Sequence, residues 1–410
     1  MGQDGAVSSR AVRFIDPGEA REWLIAEQRS FGIEPDDQRL GELAPTTEIL
    51  RSCAAFDGTA IVATGGAFTT TMRLPGGASV PVAAITAIGT RPTHIRRGLF
   101  GEVMDQLHTQ SAELDEAATV LLASEALLYP RFGYGVATTG AWVQIDRRRA
   151  EFRPQISVSD RLEMFVDIAA SDQLIADLWQ RAGEHRPGWL SRPPQLRAFI
   201  LADHEVERGG AMGFTLIVHH DTDGSPDGYC LYRRTLKWEQ GQSAGSLFVH
   251  ELVTSSPQAH LALWHHCLNI DLVETVAAMP VPVDDPLPEA LADRRQYRTI
   301  GLHDQVWLRP HDAANLLATR HYAVADVITI DVADVGRFRI DGGSAGAAVT
   351  TTTAEPDISC GRAELGSLVV GNSLRPLVAT GRAHLGDPAS LDRVDRFFRW
   401  PVAPYSLLDF

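Results

Sequence analysis

The order strand, loop, helix, strand constrains the fold of this chain more than any other feature. Two β-branched segments, 60–68 and 79–89, flank a Pro-Gly-Gly turn signal at 75–77, which predicts a hairpin. The second segment leads through a short loop into a helix predicted over 99–110, and the apolar strand 120–124 follows. A helix between two strands is typical of mixed α/β folds, so this block is predicted to contain a β-loop-α-β unit.

A similar order recurs further along the chain. A strand is predicted over 246–254, a capped loop over 255–258 and a helix over 259–268. Because α/β units also recur by chance, the residues alone leave open whether the two blocks share a fold. The second loop contains neither Arg nor Gly. If the fold is shared, only the first block has a loop suited to a phosphate group.

The remaining segments set the expected boundaries. A helix is predicted to begin at Ala20, and the charged run 36–39 between two prolines is predicted to be a solvated loop. A charged stretch at 147–154 closes the first block, and a Pro-rich stretch at 280–288 leads into the third. We therefore divide the chain into residues 1–150, 151–301 and 302–410.

The third block has its own pattern of elements. A helix is predicted over 312–320, strands over 327–331 and 337–340, then a Thr-rich strand and a closing helix from about residue 390. Within it, Gly342-Gly343-Ser344-Ala345-Gly346 matches the Gly-x-Ser-x-Gly motif of hydrolases. A strand pattern follows this motif where a nucleophile elbow needs a helix, so it predicts a hairpin.

Composition narrows the classes of function. With 37 basic and 52 acidic residues the net charge is −15, which disfavours nucleic acid and favours cationic partners. The four cysteines are far apart, which fits a reducing compartment and no disulfide framework. No export signal or membrane-spanning run is recognised, so a cytoplasmic protein is predicted. The adjacent histidine pairs point apart and predict no metal site.

The loop 94–101 is the first candidate for chemistry. It lies between a predicted strand and a predicted helix, where free backbone N–H groups and the helix dipole favour an anion. Gly98 permits close approach of a phosphate, and Arg96 and Arg97 add positive charge. The alternative is a solvated cap with a turn glycine.

Two motifs resemble those of a known family. They are Pro92-Thr93-His94-Ile95-Arg96-Arg97-Gly98-Leu99 and the stretch from Ser124-Glu125 to Tyr129-Pro130-Arg131-Phe132-Gly133-Tyr134-Gly135. Together they resemble the acetyl-CoA site of GNAT-superfamily N-acetyltransferases, and more narrowly the Eis (enhanced intracellular survival) family. The resemblance covers the whole chain. It implies two tandem GNAT-like domains, the second without a CoA loop, and a C-terminal domain similar to sterol carrier proteins, assembled as a homohexamer.

The resemblance also implies the acetyl-CoA contacts. The backbone of Ile88 and Thr90 would pair with the pantetheine arm, and Ser124 would line the cofactor near the thioester. The pyrophosphate would be held by the loop residues Ile95, Arg96, Arg97, Gly98 and Leu99. One departure is Ile95, which stands where the superfamily has Arg or Gln, so a basic or amide contact is missing there; backbone donors carry much of such a site.

The same resemblance assigns the chemical roles. Tyr129 would be the acid that protonates the departing thiolate, since a phenol of pKa ~10 is protonated at neutral pH. The terminal carboxylate on Phe410 would be the base, acting through water. The alternative for Tyr129 is a tyrosine of the hydrophobic core, and the alternative for Phe410 is a frayed chain terminus. Asp409 would face a cationic substrate, and the region of Phe31, Glu34, Asp36 and Asp37 would wall its cleft.

The function predicted from these features is an acetyl-CoA-dependent N-acetyltransferase for amines of polycationic small molecules such as aminoglycosides. Two alternatives stay open. One is a transferase for protein or peptide lysines, which needs a more open cleft. The other is a binding module without catalysis, in which Ile95 marks a decayed CoA loop.

Overall fold

Residues 10–146 form the first group of elements in the computed structural model, which describes residues 10–410. The helices are α1 (Ala20–Ser30), α2 (Asp37–Leu43) and α3 (Leu99–Glu113). The strands are β1 (Arg10–Phe14), β2 (Ser52–Asp57), β3 (Ala60–Arg73), β4 (Ser79–Thr90), β5 (Ala118–Leu122), β6 (Gly135–Val136) and β7 (Thr139–Asp146).

The predicted hairpin, loop and helix of this group are confirmed. The helix predicted over 99–110 is α3, and its apolar residues Leu99, Val103, Met104 and Leu107 are buried. The prediction of a solvated loop at 36–39 is wrong. Asp36 accepts a hydrogen bond from the Arg39 amide and thereby caps α2, a helix that the charged run concealed.

Residues 162–304 form the second group. The helices are α4 (Asp172–Gly183), α5 (Pro194–Leu201), α6 (Pro257–Leu268) and α7 (Leu287–Ala290). The strands are β8 (Leu162–Phe165), β9 (Thr215–His220), β10 (Pro226–Thr235), β11 (Trp238–Glu239), β12 (Gln242–Ser243), β13 (Gly245–Thr254), β14 (Val273–Pro282) and β15 (Tyr297–Asp304). Helix α6 between parallel β13 and β14 repeats the arrangement of α3 between parallel β4 and β5.

Residues 306–398 form the third group. The helices are α8 (Ala313–Thr319), α9 (Arg362–Leu368), α10 (Arg375–Ala379) and α11 (Leu391–Phe398). The strands are β16 (Val306–Pro310), β17 (Asp326–Val332), β18 (Gly336–Gly343), β19 (Gly346–Thr351), β20 (Ile358–Cys360) and β21 (Ala383–Leu385). The predicted hairpin at 342–346 joins β18 to β19.

The fold contains two seven-stranded mixed sheets, and each includes a strand from another group of elements. Their orders are β1-β2-β3-β4-β5-β16-β6 and β15-β7-β14-β13-β10-β9-β8, and a five-stranded sheet has the order β19-β18-β17-β20-β21. Strand β7 follows the first sheet in sequence but pairs with β14 and β15 of the second, while β16 returns to pair with β5 and β6. Strand pairing therefore crosses both predicted boundaries, and the division at 150/151 and 301/302 stays a prediction.

The last ten residues contact both seven-stranded sheets. Residues 401–410 carry no regular structure, and Tyr405 donates a hydrogen bond to the carbonyl oxygen of Pro280 in β14 over 2.9 Å. The ring of Phe410 meets Phe68 of β3 edge-on at 5.2 Å between centroids. Asp409 and Phe410 therefore lie against the first sheet. None of the helices formed by residues 10–410 is long and apolar enough to cross a bilayer.

Candidate active site

The first sheet forks between β4 and β5. The two parallel strands are paired only at Val82, Ala83 and Ala84, opposite Ala118, Thr119 and Val120. Beyond Ala84, β4 continues to Thr90 along β3 while β5 ends at Leu122. Ile88 and Thr90 therefore lie on a stretch of β4 whose edge toward β5 is not paired with any strand of residues 10–410. Such an edge can accept an extended chain as an added strand.

Local backbone geometry helps to open the fork. The register between β3 and β4 shifts between Thr64 and Gly66, and Ala87 opposite this shift has a φ of 58°. The hydroxyl of Thr64 donates to the Ala87 carbonyl oxygen over 2.9 Å. A bulge of this kind bends a strand and ends its regular pairing, so the divergence of β4 from β5 is built into its backbone.

The loop after β4 forms an anion cradle at the start of α3. Gly98 is the N-cap residue with φ 85°, and no side chain of residues 10–410 caps the helix, so within this part of the chain its first N–H groups are free for a ligand. Arg96, with φ 61°, and Arg97 are exposed and form no ion pair with residues 10–410. Ile95 is 54% exposed, and because its side chain is apolar it offers an anion only its main-chain groups. The cradle fits a pyrophosphate through backbone donors and two arginines.

Tyr129 lies at the end of the fork, seven residues after β5. It is only 4% exposed, its ring packs near Phe100 and Tyr134, and its hydroxyl lies near Ser124. Burial raises the pKa of Tyr129 above its usual value, and the nearby Ser124 side chain opposes this effect. The phenol therefore keeps its proton at neutral pH. The structure brings Ser124 and Tyr129 together.

The parallel fork of the second sheet lacks such a cradle. Pairing of β13 with β14 ends at Val249 and Ala278, and a cavity of about 310 Å³ lies between the diverging strands. At the start of α6, Ser256 accepts a hydrogen bond from the Ala259 amide over 3.1 Å and Pro257 has no N–H to offer. The amides of Ala259 and His260 are therefore already bonded to Ser256, and Arg186, the arginine that lines the cavity, is paired with Asp284.

A pocket of about 390 Å³ opens beside the far end of β4. Thr86 and Ala87 of β4 form part of its wall, together with Phe68, Asp409 and Phe410. Its other walls are apolar and aromatic side chains of α1, α5 and the segment after α2, among them Trp23, Leu43, Leu196 and Phe199. Pockets of this size and composition are typical of small-molecule sites.

The charges in this pocket, here called the amine pocket, have one sign. Glu27, Glu48 and Asp409 line it, and of the described residues no Lys, Arg or His does. Glu48 accepts hydrogen bonds from the amide of Thr69, and Gln28 donates to Glu27 over 2.6 Å. Burial raises the pKa of Glu27 and of Asp409. A cation in this pocket would be stabilised by these carboxylates, although Arg39, which lies outside the lining and over the Phe199 ring, also acts on Glu27.

The predicted site residues fall into three places. Ile88, Thr90 and the loop 95–99 surround the fork, Ser124 and Tyr129 stand at its end, and Asp409 and Phe410 line the amine pocket. Phe31, 50% exposed, follows α1 and is not among the residues that line this pocket. Glu27 and Glu48 were missed. The four-residue spacing of Trp23 and Glu27 on the predicted helix is a signal that they share a face.

Each of the two chain regions that contain a fork matches a family model. Residues 11–137 match an acetyltransferase (GNAT) domain model, and residues 188–310 match a second acetyltransferase (GNAT) domain model. Two tandem GNAT domains with mixed sheets, one of them with a forked strand pair and an anion cradle, define an N-acetyltransferase of the GNAT superfamily. Enzymes of this class use acetyl-CoA as the acetyl donor.

Relatives narrow the assignment further. N-acetyltransferase Eis of Mycobacterium tuberculosis is 33% identical over 352 residues, 83% of each chain. An uncharacterised N-acetyltransferase of Streptomyces avermitilis is 30% identical over 96% of this chain and 98% of its own. The crystal structure of Eis1 from Mycobacterium abscessus superposes with a TM-score of 0.85 at 31% identity, covering 98% of this chain and 100% of that one. The chain belongs to the Eis family of N-acetyltransferases.

Proposed function

We propose that this enzyme transfers acetyl groups from acetyl-CoA to primary amines of a cationic small molecule, with aminoglycosides as the first candidates and several amines of one molecule as acceptors. The observation that carries the proposal is the amine pocket, whose charged side chains are all carboxylates and whose wall includes Thr86 and Ala87 beside the fork. A carboxylate-lined, apolar pocket attracts an ammonium group and holds it in reduced dielectric.

The cradle and the fork would hold the acetyl donor. Backbone N–H groups at Gly98 and Leu99 and the charges of Arg96 and Arg97 would bind the pyrophosphate, and the free edge at Ile88 and Thr90 would pair with the pantetheine amides. Together these contacts would fix the thioester beside Ser124 and Tyr129. Positioning of two reactants in this way supplies a large part of the rate enhancement.

Tyr129 would then act as the acid. When the amine nitrogen forms its bond to the thioester carbonyl carbon and the carbon–sulfur bond breaks, the departing thiolate takes the phenol proton of Tyr129. The raised pKa keeps Tyr129 protonated before this step. The proton that the attacking nitrogen loses would pass, directly or through water, to the main-chain carboxylate of Phe410 in the amine pocket.

The proposed base gives a specific prediction. One glycine added after Phe410 moves the carboxylate by a residue, so we expect kcat to fall about tenfold at neutral pH, below the range for loss of a fully positioned base. Because Phe410 keeps its ring contact with Phe68, the melting temperature should change little. Initial rates of thiol release measure the effect. An unchanged kcat would remove Phe410 from the mechanism.

A second prediction concerns Glu27. In Glu27→Gln the pocket keeps its shape and loses one negative charge, so KM for a cationic amine should rise about tenfold, the effect of losing one charge-assisted hydrogen bond. KM for acetyl-CoA should stay within twofold. Glu22→Gln, an exposed position on the same helix, is the matched control and should leave both constants unchanged.

The raised pKa of Glu27 predicts how amine binding depends on pH. As the pH falls through that pKa, the carboxyl takes up a proton and the attraction for an ammonium group is lost, so the Kd of the amine should rise toward acid pH. In Glu27→Gln part of this dependence should disappear, and Asp409, whose pKa is also raised, accounts for the rest. Calorimetry on the CoA-bound enzyme from neutral pH downward tests this. A flat profile in the parent enzyme would contradict it.

Two rival functions are separable by one assay. A lysine transferase needs room for a peptide chain, and the amine pocket is bounded by α1, α5 and the C-terminal residues. A binding module without catalysis has no use for the free start of α3. Acetyl-CoA is incubated with aminoglycosides, polyamines or lysine peptides, while thiol release and product mass are followed. Stepwise acetyl additions to an aminoglycoside support the proposal, and mass gain on peptides alone would replace it with the lysine transferase.

The remaining predictions about organisation stay proposals. We propose that residues 302–410 include a domain similar to sterol carrier proteins and that the chain forms a homohexamer. Exposed apolar side chains on adjoining strands, Trp142 of β7 and Ile300 and Leu302 of β15, support self-association. Light scattering after gel filtration gives the mass of the assembly.

A further inference from the structure

A second large cavity lies along the middle of α3, at Asp105 and His108. It has a volume of about 710 Å³ and is bounded by α3, by β16 and by the start of α9. A neighbouring cavity shares Asp105, His108 and Arg309 with it and adds His311. The two form one continuous lining between the first sheet and the C-terminal sheet, here called the inter-sheet cavity.

Two glycines allow α9 to approach the first sheet. A Cβ atom on Gly135 would lie 1.8 Å from the carbonyl oxygen of Ala363, and one on Gly133 would lie 2.7 Å from Cδ of Arg362. The sequence Gly133-Tyr134-Gly135 therefore permits this close packing. It also carries the Arg362 guanidinium into the lining, where it donates to the Pro310 carbonyl oxygen over 2.6 Å.

The lining includes a hydrogen-bond donor that has no acceptor among the described residues. Arg309 donates through Nη1 to Nδ1 of His311 over 2.8 Å, and since arginine can only donate, Nδ1 is the acceptor. His311 must therefore carry its proton on Nε2, a buried atom without a hydrogen-bond partner in residues 10–410. Arg309 and Arg362 give their other hydrogen bonds to main-chain carbonyls rather than to carboxylates.

The charges around these donors are unbalanced. Glu364 is paired with Arg382, while Arg309 and Arg362 form no ion pair within 4.0 Å among residues 10–410, although Asp105 and Asp334 also line the cavity. Burial, together with the charges of Arg309 and Arg362, lowers the pKa of His311 to about 3. The arginines are thus close enough to repel a further positive charge, and Asp105 acts on Arg309 only from beyond ion-pair distance. In a protein of net charge −15 this arrangement points to a bound anion.

We propose that the inter-sheet cavity binds a phosphate group through Arg309, Arg362 and the Nε2–H of His311. Two guanidiniums and one neutral imidazole offer several N–H donors to the tetrahedral oxygens, and guanidiniums match phosphate geometry. The cavity extends past these donors along Phe132 and Trp307, so it has room for the body of a phosphate monoester. The lining of this cavity does not include the cradle residues 95–99, and its first residue on α3 is Asp105.

The test is calorimetric titration of inorganic phosphate into the full chain saturated with CoA, which fills the cradle first. One phosphate per chain should bind. Arg362→Gln should weaken phosphate binding at least about tenfold, since a charge-assisted hydrogen bond is lost. Arg399→Gln, an exposed position outside the lining, should bind phosphate as the parent does. The melting temperature checks that each variant folds.

Three outcomes decide the proposal. Absence of saturable phosphate binding in the parent would overturn it, as would unchanged affinity in both Arg362→Gln and His311→Phe. Loss of affinity in these two variants and not in Arg399→Gln supports it. A parallel titration with glycerol 3-phosphate shows whether the bound phosphate is free or part of an ester. Tighter binding than that of inorganic phosphate identifies a phosphate monoester as the occupant, and equal binding identifies free phosphate.

Discussion

Tyr129→Phe is expected to reduce kcat by about 10²-fold or more while leaving the Kd of acetyl-CoA unchanged, as loss of a positioned general acid predicts. The phenyl ring keeps its packing against Phe100 and Tyr134, and only the hydroxyl beside Ser124 is removed. The effect should therefore be confined to chemistry. Stopped-flow measurement of thiol release in a single turnover, with calorimetry for acetyl-CoA, separates the two quantities.

Tyr134→Phe is the matched control for this variant. Tyr134 is a neighbouring, fully buried tyrosine whose hydroxyl is hydrogen-bonded to Thr119 over 2.8 Å and to His108 over 3.0 Å. Its removal should cost about 1–3 kcal/mol of stability through unpaired buried groups, with kcat within a few fold of the parent. If both variants lost turnover equally, Tyr129 would be a packing residue rather than the acid.

Gly98→Val is expected to weaken acetyl-CoA binding by about 10–100-fold, the effect of losing one or more charge-assisted hydrogen bonds at the cradle. With φ at 85°, a β-branched residue is strained at this position, so the loop must rearrange and displace the free N–H groups at the start of α3. Fluorescence or calorimetric titration of acetyl-CoA measures the change. KM for the amine should move little.

Gly224→Val controls for backbone strain alone. Gly224 has φ 87° and nothing lies within 4 Å of a Cβ placed there, so both variants carry a similar conformational cost, about 1–2 kcal/mol. Only the Gly98 variant should lose acetyl-CoA. Equal affinities in the two variants would mean that the cradle is not the pyrophosphate site.

Much of the first fork was predictable because its signals are local. The β-branched strands, the turn at 75–77 and the apolar spacing of α3 are determined by neighbouring residues, and the strand and helix around residue 250 follow the same periodicity. Helix α2 was missed, since its cap Asp36 lies in a charged run and only Leu40 is buried. Local pattern could not reveal that β7 and β16 change sheets, because strand pairing depends on contacts distant in sequence.

The candidate site divides in the same way. The cradle and Tyr129 lie in continuous motifs, so the resemblance could assign them roles, which stay predictions. The amine pocket is assembled from α1, β3, β4, α5 and the C-terminal residues, segments almost 400 residues apart at the extremes, and Glu27 and Glu48 are recognisable as pocket residues only once these segments are packed together. The pairing of Arg309 with His311 beside Arg362 is likewise a product of tertiary packing.

The stoichiometry of acetyl-CoA binding is the most direct test of the proposed donor site. Acetyl-CoA is expected to bind in the first fork, and the second fork has no cradle to bind it. Calorimetric titration of the full chain should give one acetyl-CoA per chain, and Gly98→Val should weaken that single site. Two equivalent sites per chain, or one site whose affinity Gly98→Val leaves intact, would contradict the account.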